Sequence, residues 1–455
     1  MGRGYVTRRQ FLSATSAATA AWATTRPAAP AARNGDAGKL AILGGQPVRT
    51  EPFHPWPVWR EADEKTVLAV LRKGVWSRDK MVAEAEKRFA QLMGAKYCLM
   101  TTNGTNALIT AMRAIGIGAG DEVITTPYTF VASIHPILLA NALPVFADID
   151  PDTWQINPAR IEAKINQNTV AILPVHIIGG ICDMDRINEI ARKHNLKVVE
   201  DACEAHLGEW KHKKAGTLGN LGCFSFQTAK TLTCGEGGAI LGDDEKLMDL
   251  CYSFHNLGRP HGKYMSRDKG GHPILATKCR MAEYQASILI TQMEAFEAEI
   301  QLRCQNADYL TAKLRQIPGI VPRKDYPDTT RTAYYYYGLR YQKEHFNGVP
   351  RDRFLAALSA EGIPASKGLG VIEGKPMNKE GLLEDAFSSK AYQRIYSKQK
   401  LAGYQKENEC PESDRLCEET VGFHQRVLLG SKADLDDIAD AILKIYQNRE
   451  QLSRT

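Results

Sequence analysis

The sequence predicts an α/β protein organised on a mostly parallel sheet, from three observations. Between about residues 97 and 241, short apolar runs near 97–101, 122–126, 143–147, 169–175, 197–201 and 222–226 alternate with stretches of helical period. That alternation is the pattern of strands joined by crossover helices, with the sheet covered on both faces. At 455 residues the chain exceeds what one hydrophobic core organises, so two domains are expected. Finally, Met281 to Leu314 reads as one long amphipathic helix, with Leu289, Met293, Phe296, Ile300, Cys304, Ala307, Leu310 and Leu314 stepping by three or four, long enough to bridge two domains.

In chain order, residues 40–60 read as an extended Pro- and Trp-rich arm. Helical patterns follow over 61–72 and 82–93, and then the strand and helix alternation begins. Beyond the long helix, Ala333 to Arg340 reads as a strand, Asp352 to Glu361 as a helix and Asp434 to Asn448 as a closing helix. These last elements predict a smaller C-terminal domain. The stretch 375–419, rich in Lys, Glu, Ser and Gln, reads as helix plus variable loop. No internal repeat is present.

Apolar and charged fractions of 44% and 24% are ordinary for a globular protein. The formal charge is +6, and Arg3, Arg8, Arg9, Arg26 and Arg33, in a first segment without acids, account for all but one of those charges. Composition therefore gives no case for nucleic-acid binding. Residues 1–33 have the order of an export leader: Arg8-Arg9-Gln10-Phe11-Leu12, a mildly apolar run to Ala23, then small-residue sites, resembling a twin-arginine signal. The expectation is export, with a cytoplasmic location as the alternative. No later stretch approaches the ~20 apolar residues of a membrane span. Ten cysteines lack CxxC spacing, so no zinc site is expected; Cys410 and Cys417, in a polar stretch, are the pair open to disulfide formation.

The chemistry concentrates in Gly222 to Gly238, where a short strand runs into Lys230 between small polar residues and closes on Gly235-Glu236-Gly237-Gly238. Glycines allow backbone to approach a ligand closely, and a lysine so presented is a nucleophile candidate. A lone lysine after a strand is ordinarily a surface residue; three further stretches change that reading. Lys197 to Asp201 is a buried strand delivering Asp201 at its carboxyl end, where open α/β sheets bind ligands. Thr101 to Leu108 joins a strand to a helix N-terminus at Gly104 and Thr105, a turn that favours phosphate. Val123 to Ser133 leads from a strand to Phe130, an aromatic able to cover a flat ring.

These stretches, together with Leu173 to Gly179 and Gly216 to Gly219, resemble the DegT/StrS type of sugar and cyclitol aminotransferases over nearly everything from Gly45 onward. The resemblance implies the pyridoxal-phosphate-dependent transferase fold of type I, with an arm over 34–60, a seven-stranded large domain over 61–310 and a small α/β domain over 311–455. It implies that Lys230 bonds the pyridoxal phosphate aldehyde, that Asp201 pairs with the ring nitrogen and that Phe130 stacks on the ring. Gly104, Thr105 and Ser225 then hold the phosphate. Glu204 falls where relatives often carry a polar residue near the cofactor, or else is a solvated helix-face glutamate. His176 is a substrate candidate or a satisfied structural histidine, and His424 and Gln425 lie beside the substrate or on a bland edge strand. Lys278 stands where many relatives carry an asparagine that reaches a partner subunit's phosphate.

By the same resemblance the chain is a homodimer moving an amino group from glutamate or glutamine to a keto sugar or keto cyclitol. Three alternatives stand beside it. A pyridoxal-dependent sugar dehydratase would carry histidine in place of Lys230. A nicotinamide oxidoreductase would show a Gly-x-Gly-x-x-Gly turn after the first strand, which is missing. The third is a non-catalytic exported sensor or binding protein on the same fold.

Overall fold

The computed structural model describes residues 38–265, 271–368 and 374–454; the leader expected over 1–33 lies outside the described residues. The main sheet has seven strands: β1 (Tyr97–Thr101), β2 (Glu122–Thr125), β3 (Leu143–Phe146), β4 (Thr169–Ile172), β5 (Lys197–Asp201), β8 (Leu221–Ser225) and β9 (Gly238–Gly242). A small ribbon of β6 (Glu209–Trp210), β7 (Lys213–Lys214) and later β11 (Thr329–Arg331) lies apart from it. The order across the main sheet is β1-β9-β8-β5-β4-β2-β3, with β9 running antiparallel to both neighbours and the rest parallel. Strands β1, β5 and β8 therefore end on the same edge, where Thr101, Asp201 and Ser225 meet. The sequence pattern found six of the strands. The seventh, β9, is five residues with glycine at each end, which reads as loop.

The second core is built on β10 (Ile320–Pro322), β12 (Tyr336–Tyr341) and β13 (Thr420–His424), all antiparallel. The helices Arg351–Ala360 and Lys432–Gln447 cover this sheet, burying Phe354, Leu358, Leu435, Ile438 and Ile442. The long helix spans Glu283–Leu314. Its first half buries Leu289, Phe296 and Ile300 in the core under the large sheet, and its second half buries Ala307, Leu310 and Leu314 in the other. The expected division at residue 310 thus falls within one continuous helix shared by both cores.

The region expected as helix plus variable loop is instead four helices: Gly381–Ser388, Lys390–Ile395, Lys398–Glu407 and Pro411–Glu419. Ser389 and Ser397 cap the second and third, accepting from Tyr392 and Lys400 N–H. Rather than extending the small domain, this segment closes the free edge of the large sheet. Tyr392 and Tyr404 hydroxyls donate to the carbonyls of Ala142 and Pro144, at 2.7 and 2.6 Å, and Asn408 Oδ1 accepts from Phe146 N–H at 2.7 Å. Those are groups an uncovered edge strand would leave open. Polar composition conceals the segment because one or two aromatics on each of the first three helices do the anchoring, and the fourth is tied by Glu412 and Ser413 N–H groups donating to the Asp148 carboxylate.

Cys410 caps the last of these helices and Cys417 lies within it. Seven residues of helix rise about 10 Å, beyond the ~7 Å Cα limit of a disulfide, and both are buried free thiols, in separate apolar clusters. The pairing left open by the sequence is excluded while this helix is formed.

Asn408 is nearly inaccessible and also donates to Tyr404 O. Asn408→Ala strands Phe146 N–H and is expected to destabilise the fold by about 1–3 kcal/mol, read as a lower denaturant midpoint at unchanged slope.

Candidate active site

β1 ends at Thr101, and Asn103, in extended conformation, caps the helix Gly104–Ala114 by accepting from Asn106 N–H at 2.8 Å. The glycine after the cap is sterically required: a Cβ on Gly104 would lie 2.7 Å from Ser225 Cβ and 2.9 Å from Cys203 Sγ. Gly238 likewise sits against the Asn103 carbonyl, where a Cβ would come within 2.4 Å. The first helical turn, the end of β8 and the turn after β5 therefore converge on one point. Free N–H groups of that first turn, beside the Thr105 and Ser225 hydroxyls, suit an anion.

The convergence borders a cavity of about 450 Å³ lined by Asn103, Gly104, Thr105, Thr129, Phe130, Ser133, Asp201, Cys203, Glu204, Ser225, Gln227, Lys230 and Tyr335, among others. Asp201, buried at the end of β5, accepts from Ser133 Oγ at 2.7 Å and from Cys203 N–H at 3.2 Å. Phe130, 43% exposed, is part of the same cavity lining. Lys230 follows a turn closed by Lys230 N–H on Gln227 O, at 2.8 Å. Its Nζ donates to Glu204 Oε1 at 3.1 Å and lies 3.9 Å from the centroid of the Tyr335 ring. Burial opposes the charge on Lys230, but the adjacent Glu204 carboxylate reverses the balance and leaves its pKa raised. Glu204 is buried rather than solvated, and its Oε2 accepts from Ile178 N–H at 2.7 Å.

A lysine, a buried carboxylate, a helix N-terminus and an aromatic side chain thus share one cleft. Residues 57–443 match the profile described as the DegT/DnrJ/EryC1/StrS aminotransferase family. This chain belongs to that family. It is 37% identical over 420 residues, covering 91% of this chain and 99% of the relative, to a protein of Streptoalloteichus tenebrarius assigned as an L-glutamine:3-amino-2,3-dideoxy-scyllo-inosose aminotransferase. Over 432 residues it is 33% identical to the L-glutamine:2-deoxy-scyllo-inosose aminotransferase of Streptomyces kanamyceticus, covering 91% and 98% of the two chains. Among solved structures it resembles an aminotransferase from Psychrobacter cryohalolentis, with a TM-score of 0.77, 30% identity and coverage of 88% and 100%. It also resembles 3-amino-5-hydroxybenzoic acid synthase, at 0.73, 28%, 90% and 100%. The protein is an aminotransferase of the type I α/β fold.

As a member of this family it carries several motif residues in structural rather than ligand-facing roles. His176 is fully buried behind the cavity wall: its Nδ1 accepts from Cys182 N–H at 3.1 Å, so its proton sits on Nε2, 2.9 Å from Glu200 Oε2. It is a satisfied core histidine and not a substrate contact. Glu200 also accepts from the N–H groups of Gly216, Leu218 and Gly219, at 2.6 to 2.7 Å, which accounts for the Gly216 to Gly219 motif. Gln425 is equally buried and accepts from Arg303 Nε at 2.9 Å, so it cannot meet a substrate. His424 packs its ring on Tyr336, with centroids 5.6 Å apart, outside the cavity lining. Lys278 is exposed on an extended segment bridged to Asn256 and is not part of this chain's own cavity.

Sequence reasoning missed Ser133, Thr129 and Tyr335. Ser133 sits inside the stretch noted for Phe130, with Thr129 Oγ1 2.7 Å from its hydroxyl. Tyr335 belongs to a run of four tyrosines that alternation alone assigns to packing, and only the fold turns it toward Lys230.

Two buried histidines make stability depend on pH. Burial depresses His206 and His255, each to about 3, against 6.5 in an unfolded chain. Below pH 6.5 the unfolded state takes up protons that these two folded-state histidines refuse, so their contribution to stability is complete above that pH and falls toward pH 3. Each histidine contributes a slope of up to about 1.4 kcal/mol per pH unit. Thermal melts across this window are expected to show the loss, and His206→Gln is expected to flatten it.

Proposed function

We propose that this aminotransferase uses pyridoxal 5'-phosphate to move the α-amino group of glutamine onto a keto cyclitol. The observation carrying the reading is Lys230 Nζ inside the cavity, with Glu204 and Tyr335 against it and the Asp201 carboxylate in the same lining. Glutamine and an inosose acceptor are taken from the names of the Streptomyces kanamyceticus relative and of the L-glutamine:scyllo-inosose aminotransferase of Streptomyces griseus, the latter 32% identical over 432 residues. A keto sugar is the neighbouring acceptor class, and glutamate the neighbouring donor.

The cavity fits the cofactor. The space that a Cβ on Gly104 would fill lets the first helical turn pack against Ser225, so Gly104 and Thr105 N–H groups and the Ser225 hydroxyl form a phosphate cradle. Phe130 would cover a ring face, and Asp201 would pair with a protonated ring nitrogen. When bound, pyridoxal phosphate supplies an aldehyde carbon and an electron-withdrawing ring. Lys230 would hold the cofactor at that carbon, and its Nζ, once freed, would carry the proton at the donor's α-carbon. Ser133 and Cys203 N–H hold the Asp201 carboxylate in place for its part. Lysine at position 230, where dehydratase relatives carry histidine, favours transamination over dehydration.

The reading includes a homodimer, in which Lys278 serves the partner subunit's phosphate; supporting it, Leu275, three residues away, is 84% exposed. It also includes export by the Arg8-Arg9 leader. A free cyclitol acceptor removes the conflict between export and the cytoplasmic supply of nucleotide-linked sugars, and a twin-arginine route carries proteins already folded, with cofactor in place.

Purified protein incubated with pyridoxal phosphate, glutamine and a panel of keto cyclitols and nucleotide-linked keto sugars is expected to give an amino cyclitol by mass spectrometry, and to sediment as a dimer. Borohydride is expected to fix the cofactor on the Lys230 peptide, and Lys230→Ala to lose at least ~100-fold in turnover. Asp201→Asn is expected to lose more turnover than cofactor. A pyridoxyl label elsewhere, or amination of the nucleotide sugars alone, would overturn the assignment. For export, cell fractionation of wild type against Arg8→Lys/Arg9→Lys is expected to move the protein from the exported to the cytoplasmic pool; full-length wild type found only in the cytoplasm would refute the leader.

A further inference from the structure

Lys230 and Glu204 form an ion pair within the cavity, 3.1 Å apart, with side chains 12% and 6% exposed. Glu204 is held from behind by Ile178 N–H. Ile178 adopts φ 50, a left-handed conformation that costs a β-branched residue energy, so the loop bears strain while presenting that N–H to the carboxylate.

The other titratable groups around the pair are neutral near pH 7 or already engaged. Burial pushes Tyr335 up to about 12 and raises Tyr128 and Tyr336 as well. Burial also drives the Cys203 thiol well above its ordinary value and depresses His206 to about 3. Asp201 is bonded to Ser133 and to Cys203 N–H. Glu204 is therefore the carboxylate in direct contact with the ammonium.

We propose that Glu204 controls the protonation of Lys230 Nζ and thereby gates covalent loading of the cofactor. The inference rests on the pyridoxal reading above and adds a role for this pair. Bonding to an aldehyde carbon requires the electron pair of a neutral amine: a C–N bond forms, and the carbonyl oxygen leaves as water with the two amine hydrogens. The paired ammonium must first give up one proton, and Glu204 Oε1, in contact with Nζ, is the acceptor at hand. A carboxylate in this position holds Lys230 charged and slows loading near neutral pH. An amide in its place accepts from Ile178 N–H as before but carries no countercharge.

The test mixes pyridoxal phosphate with cofactor-free, full-length protein and follows absorbance by stopped flow across pH, for wild type, Glu204→Gln and Glu204→Asp. Relative to wild type, Glu204→Gln is expected to load about tenfold faster or more near neutral pH, with its rate profile displaced downward by about one pH unit or more. Glu204→Asp is expected to stay close to wild type. Independently of any cofactor, trace acetylation of the same cofactor-free proteins, read on the Lys230 peptide, is expected to show the same displacement. Coincident profiles for wild type and Glu204→Gln, in loading and labelling, overturn the gate while leaving the pyridoxal reading intact. Failure of Lys230 to bond pyridoxal phosphate in either protein overturns both, and the labelling then shows only whether Glu204 holds the proton.

Discussion

Two consecutive carboxylates at the end of β5, Glu200 and Asp201, are the constraint on which the site depends. Successive side chains on a strand point to opposite faces, so one carboxylate enters the core and the other the cavity. Glu200 is wholly inaccessible and receives four hydrogen bonds, from His176 and from the N–H groups of Gly216, Leu218 and Gly219. A buried carboxylate without such donors is prohibitively costly. With them, it fastens the loop after β4 and the turn before β8 to the strand between. Asp201 is consequently presented from a rigid base, and Ser133 fixes its far oxygen.

The same edge explains why small residues cluster where they do. Gly104, Ser225 and Cys203 meet where β1, β5 and β8 end, and the space for a single methyl group is already taken. Close backbone approach brings the N–H groups of a helix terminus beside a hydroxyl, an arrangement that suits an anion without a dedicated cation. Across the cavity Tyr335, just before β12, brings a small-domain ring against Lys230. The lysine therefore stands between the two cores.

What was legible in the sequence was what is local. The strand and helix alternation, the lysine between small residues, the carboxylate at a strand end and the Gly104 turn each lie within a few consecutive residues, and the comparisons bear out the family and fold they implied. What was illegible depends on partners far along the chain. His176 and Gln425 read as polar residues at strand ends; Glu200 and Arg303, 24 and 122 residues away, make them interior. Ser133 is tied to Asp201 across 68 residues. The 375–419 segment hid its role because its composition is that of an exposed linker, while a few aromatics hold it to β3.

Gln425 bears on the lysine at one remove. It holds Arg303, a fully buried guanidinium whose other contacts are Glu299, at 3.3 Å, and the Trp56 ring, 5.3 Å from its central carbon. Burial lowers the Arg303 pKa to about 10, which leaves it charged at neutral pH and dependent on those partners. Trp56 in turn donates its indole N–H to Thr228 O at 2.8 Å, two residues before Lys230. A contiguous chain of contacts thus runs from the end of β13, through the long helix and the N-terminal arm, to the turn that carries the lysine. The arm braces the lysine's turn from outside, as Glu200 braces the strand from within.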